Sequence, residues 1–537
     1  MTRLPKSAPT LIDRLVTWID PQRGLERHRA RTMLAMVGGY TGGRRDKRSM
    51  SEWRTSGGSA DADLEPDRAT LIERSRDLCR NAPLARGAVN TVVTSVVGTG
   101  LTVQSRIDRE VLAPVFRGGG GAADAWERAA EREFRLWAES PDCDITRTQT
   151  FAGLQSMAFR AVLESGDVFP IRRFVERPGR RLGTCLQMIE ADRVANPNHR
   201  RDTAELTAGV YRDAFGAPVA YNVLNEHPGN AYGVWSGEGV RVPAFDASGD
   251  RIVYHLFDRL RPEQTRGVPY LAPVIETLKQ LDRYTEAEIM AAVVSGMFTV
   301  FVKTEDGDPT TNPLGTVGGG GAGGDVKLGS GAIVDLAKGE DVSIADPKRP
   351  NVAFDPFVMA VLRQIGVALE LPFEILIKHF TASYSASQAA ILEAWRFFAA
   401  RRKWLAVSFC QPVYEAVIAE AVARGRITAP GFEADPMIRA AYLGADWIGP
   451  PRGQIDQNKE ASAAEKWIGM GVKTVDQVTA EVTGGDWERN HAQRVKERRM
   501  RVADGLEEPA GAAQPQPQPR QPPVTPPLPP TDEEDEP

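Results

Sequence analysis

Residues 378–398 read "KHFTASYSASQAAILEAWRFF", and the character of the chain changes in the middle of this stretch. The first half is small and polar, whereas the second half has the apolar content of a packed helix. Ser385 and Gln388 match a capping box, in which each side chain accepts a hydrogen bond from the backbone amide of the other residue. The pattern therefore predicts a helix that begins at Ala386, with a polar loop before it.

The same polar half suggests a second interpretation, a serine nucleophile with a histidine base. His379 and Ser383 are four residues apart, but no carboxylate in the loop can orient the imidazole. The chain also lacks the GxSxG turn that commonly exposes such a serine. We therefore expect the serines of this loop to be structural.

The helix after the loop gives the longest helical signal in the chain, about 386–424. Pro412 interrupts it and removes the hydrogen bond to the carbonyl of Ser408, which predicts a kink. Gly425 is placed to end the helix in a left-handed conformation.

A shorter helix is predicted before the loop. Asp355 is a candidate N-cap, Pro356 suits the first helical position, and Pro372 should end the helix near Glu370.

The remaining chain mixes both kinds of element, which indicates an α+β protein. Helices are predicted from about residue 66 and over 125–139, and short β-like runs bounded by Gly, Pro and Asn occupy 167–260. A further helix over 271–297 carries one apolar face. That face consists of Leu271, Val274, Ile275, Leu278 and Leu281.

The net charge of −5 comes from the C-terminus. Residues 507–537 hold seven acids and one base, which leaves 65 basic and 64 acidic residues in the other part of the chain. Proteins that grip nucleic acid usually carry a strong basic excess. If this protein meets DNA, we expect it not to hold DNA tightly.

Other compositional features exclude several classes of site. The four cysteines and six histidines are scattered, so we expect no disulfide framework, no metal site and no cofactor. The longest apolar run, 291–302, is too short for a membrane span. The glycine-rich segment 315–325 lacks the GK[ST] of a phosphate loop, and we interpret it as a surface loop. The neighbouring acids Glu305, Asp306 and Asp308 are interpreted as exposed charge.

Two basic regions each allow more than one functional interpretation. Residues 21–54 carry nine basic and three acidic residues, which fits a solvated arm or a contact with a partner or nucleic acid. The helix after the loop has a basic side, which fits a solvated or salt-bridged face, a contact between subunits, or a contact with a passing polyanion. Its members are Arg396, Arg401, Arg402 and Lys403.

Several segments together resemble the lambda-type family of tailed-phage portal proteins. They follow the family's order over roughly 30–500, which is more specific than any single motif. The segments are "VNTVVTSVVGTGL" (89–101), "SGDVF" (165–169), "IEADRV" (189–194), "RGVPYLAPVIETLKQLDRYTEAEIMAA" (266–292), "LPFEIL" with "FTASYSASQAAILEAWR" (371–396) and "WIGPPRGQIDQNKEASAA" (447–464).

The resemblance implies a non-enzymatic ring, typically of twelve subunits, at one capsid vertex. Double-stranded DNA would pass through its channel without specific contacts, first during packaging and later during ejection through the tail. The implied partners are the terminase large subunit, a head–tail adaptor and the major capsid or scaffolding protein, with no membrane. The implied location is the virion, and the host cytoplasm during assembly.

The resemblance also implies a division of the chain into a β-rich wing and clip and long stem and crown helices. The expected parts are a basic arm (1–65), wing (66–303), clip-like β region with the glycine-rich loop (304–354), stem helix (355–378), channel loop (379–385), long kinked helix (386–426), crown-like helical region (427–504) and disordered acidic tail (505–537). The residues expected to form the channel loop and its flank are Lys378, His379, Phe380, Thr381, Ala382, Ser383, Tyr384 and Ser385.

Two departures from the family affect function. The junction of loop and helix often carries a basic residue in the family, where this chain has Gln388, so the sign of the channel potential stays open. The insertion "GGGGAGGD" leaves the clip contacts open. The alternatives are a nuclease or ATPase of the packaging apparatus, or a different capsid-associated adaptor.

Overall fold

The computed structural model of the 537-residue chain describes most of its length, in two compact units, 1–63 and 64–537. The described residues are 11–36, 52–53, 55, 57–116, 120–230, 237–296, 300–304, 340–344, 354–380, 383–453 and 456–507. The glycine-rich segment 315–325, the acids at 305–308 and the tail from 508 lie outside them.

The first unit contains two helices, α1 (Leu11–Ile19) and α2 (Pro21–Met36). Asp20 separates them and accepts hydrogen bonds from the amides of Gln22 and Arg23, at 3.1 and 3.3 Å, so it caps α2. The basic arm expected here therefore includes helical structure, which the Asp-Pro signal at 20–21 specifies locally.

The other helices are α3 (Ala60–Asn81), α4 (Pro83–Val96), α5 (Gly120–Ala138), α6 (Phe151–Ser165), α7 (Ile275–Gly296), α8 (Phe354–Ala368), α9 (Phe373–Ile377), α10 (Tyr384–Leu405), α11 (Gln411–Ala423), α12 (Pro436–Tyr442), α13 (Gln457–Gly469), α14 (Val475–Thr483) and α15 (Trp487–Ala503). The strands are β1 (Thr102–Ser105), β2 (Asp167–Phe174), β3 (Thr184–Glu190), β4 (Leu206–Thr207), β5 (Val210–Arg212), β6 (Pro218–Leu224), β7 (Gly239–Pro243), β8 (Leu256–Phe257), β9 (Val300–Thr304), β10 (Glu340–Ile344) and β11 (Ala445–Ile448).

The strands confirm the β-rich region predicted over 167–260. One sheet has the order β3-β2-β8 and a second has the order β4-β5-β6-β7, and all described pairs are antiparallel. Side chains from both sheets, including Phe169, Ile189, Tyr221 and Val242, form a separate small core. β9 pairs with β10, which accounts for the described part of the expected clip-like region.

The main core lies among α4, α5, α6, α10 and α11. In α4, buried Ala85, Val89, Val92 and Val96 follow helical spacing, so one face of the helix is apolar. Rings from three other elements meet Phe134, whose centroid lies 5.7 Å from Phe151 and 5.3 Å from Tyr414. Burial of these faces is the main stabilising term of the fold.

Residues 427–448 also pack into this main core. Ile427, Phe432 and Tyr442 are buried, and β11 pairs with β1 in the register Thr102 to Ile448. The expected crown-like region 427–504 thus begins with a segment that belongs to the body of the protein, and only α13 to α15 lie beyond it.

The helix predicted over 271–297 forms as a short 3₁₀ turn followed by α7. All five residues of its predicted apolar face are buried, from Leu271 to Leu281.

The expected stem helix 355–378 is wrong as a single helix. α8 begins at Phe354, so Asp355 lies in its first turn, and Glu370 adopts φ +52° beyond its end. The Leu371 amide then bonds the Gly366 carbonyl at 2.9 Å, and α9 starts after Pro372. Pro372 causes the break, because a proline disfavours helical geometry in the residue before it. The predicted helix end near Glu370 rested on the same proline.

The long helix predicted over 386–426 runs from Tyr384 to Ala423, and its irregularity is a π turn. Residues Ala406–Cys410 form this turn, and the Gln411 amide bonds the Ala406 carbonyl. Pro412 has no amide hydrogen, so the hydrogen-bond ladder changes register just before it. Gly425 has φ +69° and ends the helix as predicted.

This helix is also long and apolar enough to cross a membrane by length and composition, over Tyr384–Ala423. Half of its most apolar window is buried inside the protein, as in the core helix of a folded domain.

The four cysteines are free and buried.

Candidate functional site

The predicted channel loop joins α9 to α10. Lys378 ends α9 with φ +56°, and the amides of Lys378 and His379 both bond the Glu374 carbonyl. Lys378, His379 and Phe380 are exposed, and so are Ser383, Tyr384 and Ser385. Thr381 and Ala382 lie outside the described residues.

The predicted capping box of Ser385 and Gln388 is wrong. α10 begins at Tyr384 with Ser383 as its N-cap, and no side chain there makes a capping hydrogen bond. The Ser387 amide bonds the Ser383 carbonyl at 2.9 Å, so Ser385 is already inside the helix. A residue in the first turn cannot also act as the half-helical residue that the box requires.

A tertiary contact lies at the two residues by which α10 starts earlier than predicted. Tyr384 and Gln388 are four residues apart on one face of α10, and both line a groove of about 510 Å³ against α13 and α14. The Lys459 ammonium lies 5.5 Å from the centroid of the Tyr384 ring, and Lys459 also pairs with Asp456 at 3.2 Å. This packing holds Tyr384 in helical geometry, which the local pattern does not encode.

Lys378 and His379 flank the loop. Neither Lys378 nor His379 forms an ion pair with any residue in the described part of the chain. The loop itself offers hydroxyl groups, and the Ser383 and Ser385 hydroxyls lie 3.2 Å apart. This combination suits weak contacts with a polyanion better than tight binding.

Three of the four basic side chains on this side of α10 have partners within the chain. Arg396 pairs with Glu393 at 2.9 Å on the surface, and Arg401 pairs with Asp258 at 2.6 Å. Arg402 instead donates to the carbonyls of Ser95 and Val96 at the end of α4, at 3.0 and 3.2 Å. Lys403 is exposed.

The Arg402 guanidinium lies at the C-terminal end of α4, where the helix dipole places partial negative charge. It also stacks over the Trp395 ring, 4.8 Å from the centroid. Burial lowers the pKa of Arg402 to about 10, which still leaves the side chain charged at neutral pH.

A buried charge network was not predicted. Arg266 is 0% exposed and donates to both oxygens of Asp167, at 2.5 Å from Nε and 3.1 Å from Nη2. The same guanidinium donates to the carbonyls of Ala191, Val194 and Ala208, at 2.7–2.8 Å. Arg266 therefore ties β2, the segment after β3 and the β4–β5 turn together.

The electrostatics of this network favour both charges. Burial alone would raise the pKa of Asp167, but the Arg266 charge outweighs it and lowers the pKa well below the ordinary value. Burial opposes the charged form of Arg266, and the Asp167 charge outweighs it and raises the pKa of Arg266.

The His255 imidazole lies beside this ion pair but forms no hydrogen bond with it. Its Nε2 lies 3.5 Å from the Asp167 carboxylate, and no hydrogen bond forms there. Its ring is stacked between Phe169 and Phe257, with centroids 4.2 and 4.3 Å away. Burial lowers the pKa of His255 to about 4, so the imidazole is neutral at neutral pH.

Two glycines allow the backbones to meet beside this network. A Cβ on Gly267 would lie 2.0 Å from the carbonyl oxygen of Gly166, and Gly166 itself has φ +88°. Only glycine fits such an approach without a shift of the backbone. Three segments of the resemblance, at 165–169, 189–194 and 266–269, therefore meet at Arg266 and its neighbours.

The fold also brings His227 next to two acids that are close in sequence. Ligand atoms of Glu190, Asp192 and His227 lie within 4.8 Å of one another, a geometry that a metal ion could use. Asp192 already pairs with Arg76 at 2.6 Å, and Glu190 is exposed. We interpret the group as a surface charge network.

The comparisons with known proteins agree with the family resemblance. The profile described as "Phage portal protein, lambda family" matches residues 46–402. This chain belongs to the lambda family of phage portal proteins.

Curated relatives cover nearly the whole chain. The chain is 27% identical over 508 residues to portal protein B of Escherichia phage lambda, and the match covers 90% of this chain and 93% of the relative. It is 27% identical over 511 residues to the portal protein of Escherichia phage N15, covering 90% and 94%.

Among solved structures, a chain from the virion of a native gene transfer agent particle covers 78% of this chain and 93% of its own length. The TM-score is 0.40 and the identity is 14%. A chain from the neck of the native gene transfer agent particle, computed with C12 symmetry, covers 78% and 94%, with a TM-score of 0.39 and 14% identity.

Proposed function

We propose that this chain is the subunit of a ring-shaped portal at one vertex of a phage capsid. Double-stranded DNA passes through the ring during packaging and leaves through it during ejection. The observation that carries the proposal is the lambda-family match over residues 46–402, which includes the loop and most of α10. The ring docks the terminase large subunit and later a head–tail adaptor, and contacts the major capsid or scaffolding protein.

Within this ring, 379–385 is the loop that faces the DNA and α10 with α11 is the long helix behind it. The body of the chain outside 507–537 is nearly neutral, and the loop is rich in hydroxyl groups. DNA that must slide requires a surface without strong phosphate anchoring or base contacts. These features support a conduit with weak, sequence-independent contacts.

Exposed apolar side chains support assembly into a ring. On α7, Ile289 and Met290 are 58% and 57% exposed, and on α8 Phe357 and Val367 are 53% and 82% exposed. Head-to-tail contacts that close into a ring of twelve subunits would bury such faces between neighbours.

Electron microscopy of the purified full-length chain tests the proposal. Rings with a central hole are expected, and Ile289→Asp with Val367→Asp should prevent their formation. Val240→Asp is a matched control, because Val240 is 59% exposed on β7, away from these helices. A chain that stays monomeric at high concentration would contradict the proposal.

The competing interpretation is a packaging enzyme with nuclease or ATPase activity. It requires ATP hydrolysis or magnesium-dependent DNA cleavage by the isolated chain. Assays of both activities on purified rings separate the two functions, and turnover that copurifies with the rings would favour the enzyme.

A further inference from the structure

α15 is a strongly basic helix on the surface. Its 17 residues include six basic and two acidic side chains, and every residue from Glu488 to Arg501 is exposed. Helices of soluble proteins normally bury one face, so a helix that exposes all faces over this length requires another role.

The helix is fixed at its base. Asp486 caps it by accepting a hydrogen bond from the Arg489 amide at 3.1 Å, and Glu488 lies 4.0 Å from Arg128 of α5. Trp487 stacks on His491 with centroids 5.1 Å apart. The remaining turns therefore extend from an anchored first turn.

The basic side chains occupy two faces with different partners. Arg494, Arg498 and Arg501 follow helical spacing on one face, and Glu507 lies 3.1 Å from Arg498 and 3.3 Å from Arg501. This carboxylate neutralises part of that face.

The other face is open. Arg489, Lys496 and Arg499 are spaced i, i+7 and i+10, and form no ion pair with any residue that the structure describes. At 1.5 Å rise per residue, they extend over about 15 Å. On α10, by contrast, Arg401 and Arg402 are held by partners within the protein.

We propose that α15 contacts the phosphate backbone of double-stranded DNA through Arg489, Lys496 and Arg499, without sequence preference. The proposal rests on the proposed function, because it requires a protein that meets DNA. The positive face complements a duplex, which carries one negative charge per about 1.7 Å of axis. The contact would lie outside the channel loop, on the helical region that follows the body of the subunit.

One competing polyanion is the chain's own acidic segment, Asp532–Glu536. An extended chain places successive residues about 3.3–3.6 Å apart, so its charge density is about half that of a duplex. Charge density therefore favours DNA as the occupant.

The test compares full-length rings in binding to a fluorescent 30-base-pair duplex of random sequence, at several salt concentrations. The variant Arg489→Gln/Lys496→Gln/Arg499→Gln should bind at least about tenfold more weakly near 0.1 M salt, and its salt slope should fall by about 2 to 3. A matched control removes three exposed charges from α3 and α4. It is Arg74→Gln/Arg80→Gln/Arg86→Gln, and it should change binding less than about twofold.

Equal binding by the α15 variant and the control would overturn the proposal. The same comparison is repeated after deletion of 508–537. An effect of the α15 variant that appears only in this deletion would assign the acidic segment as the occupant of the face in the full chain and also overturn the proposal. Ring formation is scored separately by microscopy, so failure of the chain to form rings counts against the proposed function and not against α15.

Discussion

Arg266 and Asp167 are 99 residues apart in the chain and form a two-point ion pair that solvent does not reach. The pair joins two segments of the family resemblance, and the guanidinium also satisfies three backbone carbonyls. Its role is to tie β2, the segment after β3 and the β4–β5 turn of the β-rich region together.

Removal of one partner of this pair is expected to be costly. Arg266→Met leaves Asp167 buried without a counter-charge and should lower the free energy of unfolding by about 3–5 kcal/mol. Urea unfolding of the unassembled subunit measures this. The exposed pair Arg396 and Glu393 is the control, and Arg396→Met should cost no more than about 1 kcal/mol. Similar costs for both substitutions would contradict the role given to Arg266.

The contribution of His255 to the stability of the subunit should fall in mild acid. The pKa of His255 is about 4 in the folded protein and about 6.5 in the unfolded chain, so the unfolded chain binds the extra proton between these values. This contribution is therefore full above about pH 6.5 and decreases as the pH falls towards 4, by about 3 kcal/mol in total.

The variant His255→Gln isolates this effect. Urea unfolding at pH 7, 6, 5 and 4.5 should show the original chain losing free energy of unfolding relative to His255→Gln as the pH falls. The lowered pKa of Asp167 also removes stability in acid, but only below its ordinary value near 4, so it leaves this window unchanged. An unchanged slope in the variant would exclude His255 as the cause.

A single methyl group at Gly267 should disrupt the fold. In Gly267→Ala the new Cβ would lie 2.0 Å from the Gly166 carbonyl oxygen, so the backbone must move beside the Arg266 network. We expect a loss of several degrees or more in the melting temperature. Gly87→Ala is the matched control, because nothing lies within 4 Å of its added Cβ, and alanine favours a helix interior by about 1 kcal/mol. Equal melting temperatures for the two variants would contradict the close approach.

The hydroxyl groups at the start of α10 should be dispensable one at a time. No side chain caps the helix at Ser383, so Ser383→Ala and Ser385→Ala should each change stability by less than about 0.5 kcal/mol and leave phage assembly largely intact. Deletion of 380–384 should impair packaging or retention of DNA, measured as the DNA content of purified particles. Complete loss of function from Ser383→Ala alone would restore the catalytic interpretation of this loop.

The sequence predicted the elements whose signal is local. The apolar face of α7, the break before Pro372 and the left-handed Gly425 depend on neighbours within a few residues, and the structure has all three. The predicted start of α10 was wrong by two residues. Ser383, Ser385 and Ser387 are all local candidates for the N-cap, and the contact of Tyr384 with Lys459 favours the earliest of them.

By itself, the sequence determined the order of the main helical and β-rich regions, the apolar face of α7 and the membership of a portal family. Periodicity, proline and glycine act over one or two turns, so these features can be read along the chain. Only the tertiary structure decided that Arg266 is buried in an ion pair with Asp167 and that Arg402 binds the carbonyls at the end of α4. It also decided that one basic face of α15 has no ion pair among the described residues. A charged residue has the same local pattern whether its partner is water or a carboxylate 99 residues away, and folding alone brings that partner into contact.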